Sequence, residues 1–197
     1  MPIDSTQTTA LIASPALLVP EDYQQILNQL YTGLIQTELW GKVRGSCFCA
    51  AGFVSLALTD LGNRTRVLPC YAIALKNGGV LALGNKDSHV GNGMVDGHVV
   101  CLINETIIVD FGLSNIRLDD YFSDFPIAVA YKVTGDVYFP CEIVLDEDKR
   151  IIWAAGWANP RTNKVMAENR PAYELLYKQY KAITQTFPNQ PSPSPHN

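Results

Sequence analysis

The stretch RGSCFCAAGFVSLALTDLGNRTRV, residues 44–67, decides the fold. Its first part predicts a helix from about Ser46 to Leu61. Ser46 is placed to cap the first turn and Gly62 to stop the last. Ala50, Phe53, Val54, Ala57 and Leu61 recur at helical spacing on one stripe, and small residues crowd the early turns. Such a helix belongs in the middle of the molecule, largely buried. The chain then turns into a strand, with Val, Tyr and Ile concentrated between Arg66 and Leu75. Cys47 therefore stands where a loop meets the first turn of a buried helix. Unsatisfied backbone N–H groups and the helix dipole favour a thiolate there, and the thiolate is the nucleophilic form of cysteine.

Outward from this stretch, Pro20-Glu21-Asp22 opens an earlier helix. Proline suits a first turn, and acids suit the positive end of the dipole. Tyr23, Ile26, Leu27, Leu30, Leu34 and Ile35 carry the helical period through about Leu39. Residues 1–19 read as an irregular leader and Trp40–Ser46 as a loop. Downstream, Lys76–Gly97 holds six glycines and little apolar periodicity apart from Val80–Leu83. It reads as a mobile flap over a cleft, since loops of that length in a domain are commonly functional. His98–Ile103 and Ile107–Phe111 form a hairpin around Asn104-Glu105-Thr106. Further strands are expected at Ile127–Val133, Val137–Leu145 and Ile151–Ala155, and a last helix at Pro171–Thr186. The Pro- and Ser-rich end, Pro188–Asn197, is expected to be disordered. Helices followed by a run of strands indicate a single α+β domain over residues 1–187.

Composition removes several functions. The chain is 47% hydrophobic and 17% charged with a net charge of −4, and its basic residues are scattered, so no nucleic-acid footprint exists. No stretch reaches the roughly 18 apolar residues that span a bilayer. The mostly apolar run Ala10–Val19 lacks the positive region of a signal peptide. A cytoplasmic protein with no membrane partner is the expectation, its five cysteines reduced. Asn63 and Asn104 match glycosylation acceptors, which carry little weight without a secretory signal.

Two further segments complete a constellation with Cys47: Gly97-His98-Val-Val and Val109-Asp110-Phe-Gly112. A histidine near the thiolate would pair with it and later protonate a leaving group. An aspartate bonded to that histidine would fix its tautomer and orientation. Asp110 is embedded in an apolar strand, where a carboxylate needs a partner to offset desolvation. The hairpin turn decides whether the pair can meet. A two-residue turn would oppose Val99 to Asp110 and send the carboxylate to the wrong face. A three-residue turn pairs Ile103 with Ile107 and puts Asp110 diagonal to His98 on one face. The odd register is therefore predicted, with one His98 nitrogen on Asp110 and the other facing Cys47.

The ordered set resembles the transglutaminase-like core, with the arylamine N-acetyltransferases as relatives. That pattern has Gly-x-Cys opening a helix, Leu-Gly-x-x-x-Arg-Val leading into a strand, a strand-borne His and then an Asp on the next strand. Here it reads Gly45-Ser46-Cys47, then Leu61-Gly62-Asn63-Arg64-Thr65-Arg66-Val67, with 15 positions from Cys47 to Gly62 and 19 to Arg66. The His98 and Asp110 segments follow in order. The resemblance covers about residues 40–115. It implies a papain-like fold, a nucleophile helix packed on an antiparallel sheet, and acyl transfer through a thioester on Cys47. Peptides, protein side chains or small amides are the implied substrates, and neither cofactor nor metal is required.

Other assignments compete. Cys49 is the rival nucleophile, although two helical positions rotate about 200° and cannot both face one cleft. Cys70, Cys101 and Cys141 lie in apolar strand patterns and are expected to be inert. His89 is the fallback base, and Asp96, Asp119 and Asp120 are alternatives to Asp110. Trp40 is a candidate for lining the cleft or completing an oxyanion hole, with plain packing as the alternative, and Ser46 is a second candidate substrate contact. A metal on Cys47, Cys49 and His89 or His98 would lack the usual ligand spacings. A non-catalytic binding module on the same fold is the reading from another class.

Overall fold

The helix that opens at Cys47 organises the molecule. In the computed structural model, which describes residues 16–43, 46–84, 97–138 and 140–186, this helix spans Cys47–Asp60, here α3. It buries Cys47, Cys49, Ala50, Ala51, Gly52, Phe53, Val54, Ala57 and Leu58. A helix apolar on nearly all sides must be surrounded, and α3 is. Phe53 is wholly buried, which contributes on the order of 2 kcal/mol by removal from water. Leu61, expected on the buried stripe, is instead exposed. The helix has ended by then, and Gly62 takes a left-handed turn with φ +84.

In chain order the described elements are β1 (Ala16–Leu18), α1 (Glu21–Gln36), α2 (Trp40–Val43), α3, β2 (Thr65–Lys76), β3 (Gly79–Leu83), β4 (His98–Ile103) and β5 (Ile107–Asp110). Then come β6 (Val129–Lys132), β7 (Cys141–Val144), β8 (Lys149–Ala154), α4 (Thr162–Glu168) and α5 (Arg170–Thr186). The fold is α+β. Eight strands form one sheet in the order β1-β6-β5-β4-β2-β8-β7, with β3 also on β2. The sheet is mixed, because β1 runs parallel to β6, whereas a wholly antiparallel sheet was expected.

Several elements depart from the sequence reading. The leader contributes β1, and α2 forms where a loop was expected. The first helix stops at Gln36, with Thr37 extended and its hydroxyl bonded back to the Leu34 carbonyl at 2.7 Å. Part of the expected flap is a strand instead, because Gly79–Leu83 pairs with β2 from Ala72↔Leu83 to Lys76↔Gly79. Helix α4 was not foreseen, and β7 is confined to the last part of its expected span. The rest of the expected flap, residues 85–96, and the end beyond residue 186 lie outside the described residues.

The sheet has an apolar layer on each face. On one side Val99, Cys101, Ile103, Ile107 and Val109 pack with α1, α3 and α5. Tyr173 and Tyr180 of α5 lie so close to Gly52 and Gly33 that a Cβ there would stand 2.3 Å from a ring carbon. On the other side Leu68, Cys70, Val100, Leu102 and Ile108 pack with Leu113, Ile116, Phe125 and Trp153. Strand β4, buried at every residue, is the common wall.

Strand β2 is long enough to pair twice. Thr65–Cys70 pairs with β4 and Tyr71–Lys76 with β8. The end of β3 approaches the start of β4 beside β2: Gly84 has φ +76, and a Cβ on it would lie 2.5 Å from the Cys70 carbonyl oxygen and 2.8 Å from the His98 nitrogen.

The hairpin adopts the odd register. Ile103 faces Ile107, Leu102 faces Ile108 and Cys101 faces Val109; one step further, Val100 stands opposite Asp110. Asn104 and Glu105 take left-handed φ of 49 and 58, and Thr106 N donates to the Ile103 carbonyl at 3.0 Å. Asparagine tolerates that conformation better than most residues. Its side chain is also committed, accepting from Arg64 N at 3.1 Å and donating to Tyr23 Oη at 2.8 Å. The turn is thereby tied to α1 and to the start of β2.

Candidate active site

His98 opens β4 and Asp110 closes β5, so the two lie at the same end of the hairpin, away from its turn. His98 Nε2 is 2.7 Å from Asp110 Oδ2, and both residues are almost fully buried. The first turn of α3 lies at this end too. A Cβ added to Gly112 would stand 2.5 Å from both Cα and Cβ of Cys47. The chain leaving β5 thus passes directly over the Cys47 backbone, and only glycine fits.

In its thiol form Cys47 Sγ donates to the Gly97 carbonyl at 3.6 Å, the residue next to His98. Burial alone would press the His98 imidazolium towards neutrality. The charges of Asp110 and of a Cys47 thiolate, with hydrogen bonds to both, outweigh burial and hold its pKa well above the ordinary 6.5. With Nε2 on Asp110, Nδ1 is the ring nitrogen left for Cys47. The structure brings Cys47, His98 and Asp110 together.

Asp110 is held from three directions. Oδ2 also accepts the Trp153 indole N–H at 2.9 Å, and Oδ1 accepts Gly112 N at 3.1 Å. Trp153 escaped the sequence reading. The available signal was its place in a strand beside buried Ile151, because a buried indole N–H requires an acceptor and Asp110 is a buried acceptor.

The other candidates separate from this cluster. Cys49 is buried and its thiol points to Asn169 Oδ1 at 3.8 Å, at the junction of α4 and α5. Burial pushes the Cys49 thiol up, and it does the same to Cys70, Cys101 and Cys141. Asp119 and Asp120 are exposed, and Asp119 caps a 3-10 turn through Tyr121 N at 2.9 Å. His89 and Asp96 lie outside the described residues, as do Arg44 and Gly45.

Ser46 is committed locally: its hydroxyl accepts Cys49 N at 3.3 Å, and its carbonyl accepts Ala50 N at 3.1 Å. The amides of Cys47 and Phe48 belong to the first turn of α3, where helix geometry gives an N–H no intrahelical acceptor. Trp40 packs in the helix-side core. Among the described residues, no group of three His, Cys, Asp or Glu side chains could hold a metal ion, and no helix is long and apolar enough to cross a membrane.

Chemically, this arrangement offers a thiol at a helix N-terminus, a cationic acid-base group and a buried carboxylate that orients it. No protein-family model, no curated protein and no solved structure matches the chain, which leaves these three side chains and their spacing as the guide to what it does.

Proposed function

We propose that the chain is a cysteine-dependent acyl-transfer enzyme of papain-like, transglutaminase-related architecture, acting as a peptidase or amidase. The observation that carries this reading is the 2.7 Å pair of His98 and Asp110 beside the Cys47 helix start. His98 Nδ1 takes the Cys47 proton, and the thiolate attacks a substrate carbonyl. The oxyanion forms next to the amides of Cys47 and Phe48, where N–H dipoles stabilise developing charge. As the C–N bond breaks, His98 returns the proton to the departing amine, leaving a thioester on Cys47. His98 then draws a proton from water, and hydroxide displaces the thiol to release the acid. With an amine in place of water, the same steps give a transglutaminase- or acetyltransferase-like product.

The test is to acetylate the purified protein with p-nitrophenyl acetate and map the adduct by mass spectrometry. An adduct on Cys47 that turns over, absent in Cys47→Ala and slowed in His98→Gln, is expected. Adding glycinamide partitions the acyl group between water and amine. An adduct confined to Cys49, or one on Cys47 that forms equally fast in His98→Gln, would refute the reading and leave a binding module on this fold.

A further inference from the structure

Beyond the first turn of α3, the helix-side face of β2 loses its cover. Leu68, Cys70, Ala72 and Ala74 point to the other face and are buried, whereas Pro69, Tyr71 and Ile73 are half-buried. On β8, Ala154 pairs with Tyr71 and Ile152 with Ile73, so they share that face, and Ile152 is half-buried too. The chain leaving β8 then turns back. A 3-10 turn at Ala155–Trp157 brings the Trp157 ring to 6.3 Å from that of Tyr71, tilted by 50°. Trp157 is 49% exposed, whereas Trp40 and Trp153 are 9% and 1% exposed.

Two tethers hold this shelf beside Cys47. Tyr71 follows Cys70, whose partner across the ladder is His98. The segment carrying Trp157 starts at Trp153, which donates to Asp110. It ends at Thr162, whose Oγ1 lies 3.0 Å from where a Gly97 Cβ would be, and Gly97 is the residue that receives the Cys47 thiol.

The geometry points to a substrate with an aromatic side chain next to the carbonyl that Cys47 attacks, its ring lying on Tyr71, Ile73 and Ile152 against Trp157. This assignment rests on Cys47 being the acylated nucleophile. No side chain of the shelf carries a charge at neutral pH, so an ionic group there would lose water without gaining a partner. An aromatic ring gains edge-to-face contact with two tilted rings and covers the half-buried aliphatics beneath.

The experiment has two arms on the full chain. In the first, Cys47 is alkylated with the chloromethyl ketones of N-acetyl-phenylalanine and N-acetyl-alanine, and the rates are read by mass spectrometry. A preference of about tenfold or more for the phenylalanine reagent is expected, as befits an apolar subsite. Trp157→Ala should abolish that preference and Trp157→Phe should keep most of it, with melting temperatures checking that both fold. In the second, Cys47→Ala is titrated with N-acetyl-phenylalaninamide and N-acetyl-alaninamide while tryptophan emission is followed. Only the first should perturb it, and Trp157→Phe should lose that signal. Equal alkylation by both reagents, with Cys47 still acetylated by p-nitrophenyl acetate, overturns the shelf but not the nucleophile. Binding of the phenylalanine amide without any acylation of Cys47 overturns the nucleophile but not the shelf.

Discussion

Trp153 Nε1 and His98 Nε2 share one acceptor, Asp110 Oδ2, at 2.9 and 2.7 Å. The indole arrives from β8 and the imidazole from β4, so the carboxylate joins the two strands that flank β2. An N–H bonded to a carboxylate contributes about 1.5–3 kcal/mol. Trp153→Phe keeps most of the packing and removes the donor. It should lower stability by about that amount, and it should slow acetylation of Cys47 because the carboxylate is no longer fixed. Thermal unfolding and acylation kinetics measure the two effects, and unchanged kinetics would show that Gly112 N and His98 suffice.

Asp110→Asn tests the charge itself. Burial opposes the His98 cation, and Asp110 leads the effects that overcome it, so losing the carboxylate should lower the His98 pKa. In the wild type the pKa is raised, so the stability from the imidazolium is fully present below the unfolded value. It is lost as pH climbs through the folded value. The stability advantage over Asp110→Asn should therefore be greatest near about pH 6 and shrink in alkali. Imidazole NMR titration and urea unfolding at several pH values follow both; a His98 titration that does not move would rule out Asp110 as the charge partner.

Iodoacetamide should label Cys47 ahead of Cys49, because burial pushes the Cys49 thiol up and its Sγ points to Asn169. Peptide mapping at low reagent excess gives the order. Cys49→Ala should leave the Cys47 rate within about twofold, as expected of a side chain facing away from the cleft.

Gly112→Ala places a methyl group 2.5 Å from Cys47 Cα. Backbone must shift, at a cost of about 1–3 kcal/mol, and the thiol should lose its acylation rate. Gly135→Ala meets nothing within 4 Å and serves as the control. Equal behaviour of the two variants would mean that the crossing over Cys47 is looser than its geometry.

Much of the fold was legible because local chemistry agreed with the global arrangement. Ser46 and Gly62 mark α3, and the parity of the His98–Asp110 hairpin follows from two side chains needing one face. Deleting Thr106 should convert the turn to two residues, flip Asp110 and abolish acylation while leaving a folded protein by circular dichroism. What stayed hidden depends on contacts distant in sequence. The strand Gly79–Leu83 is short and glycine-flanked, and only pairing with the far half of β2 makes it a strand. Ala16–Leu18 becomes one through Val129–Tyr131. Trp153 sits 43 positions from Asp110, and no local pattern links them.

The approach of Gly84 to His98 makes this end of the sheet an insertion point. A stretch of chain leaves β2's side at Gly84 and rejoins it at Gly97, two anchors set by the close approach of the Cys70 carbonyl and of the Thr162 side chain. Chain added between these two anchors leaves the described ladders of β2 with β3 and β4 in register. A recognition sequence grafted between Gly84 and Gly97 would be carried to within a few residues of His98 without rebuilding the sheet.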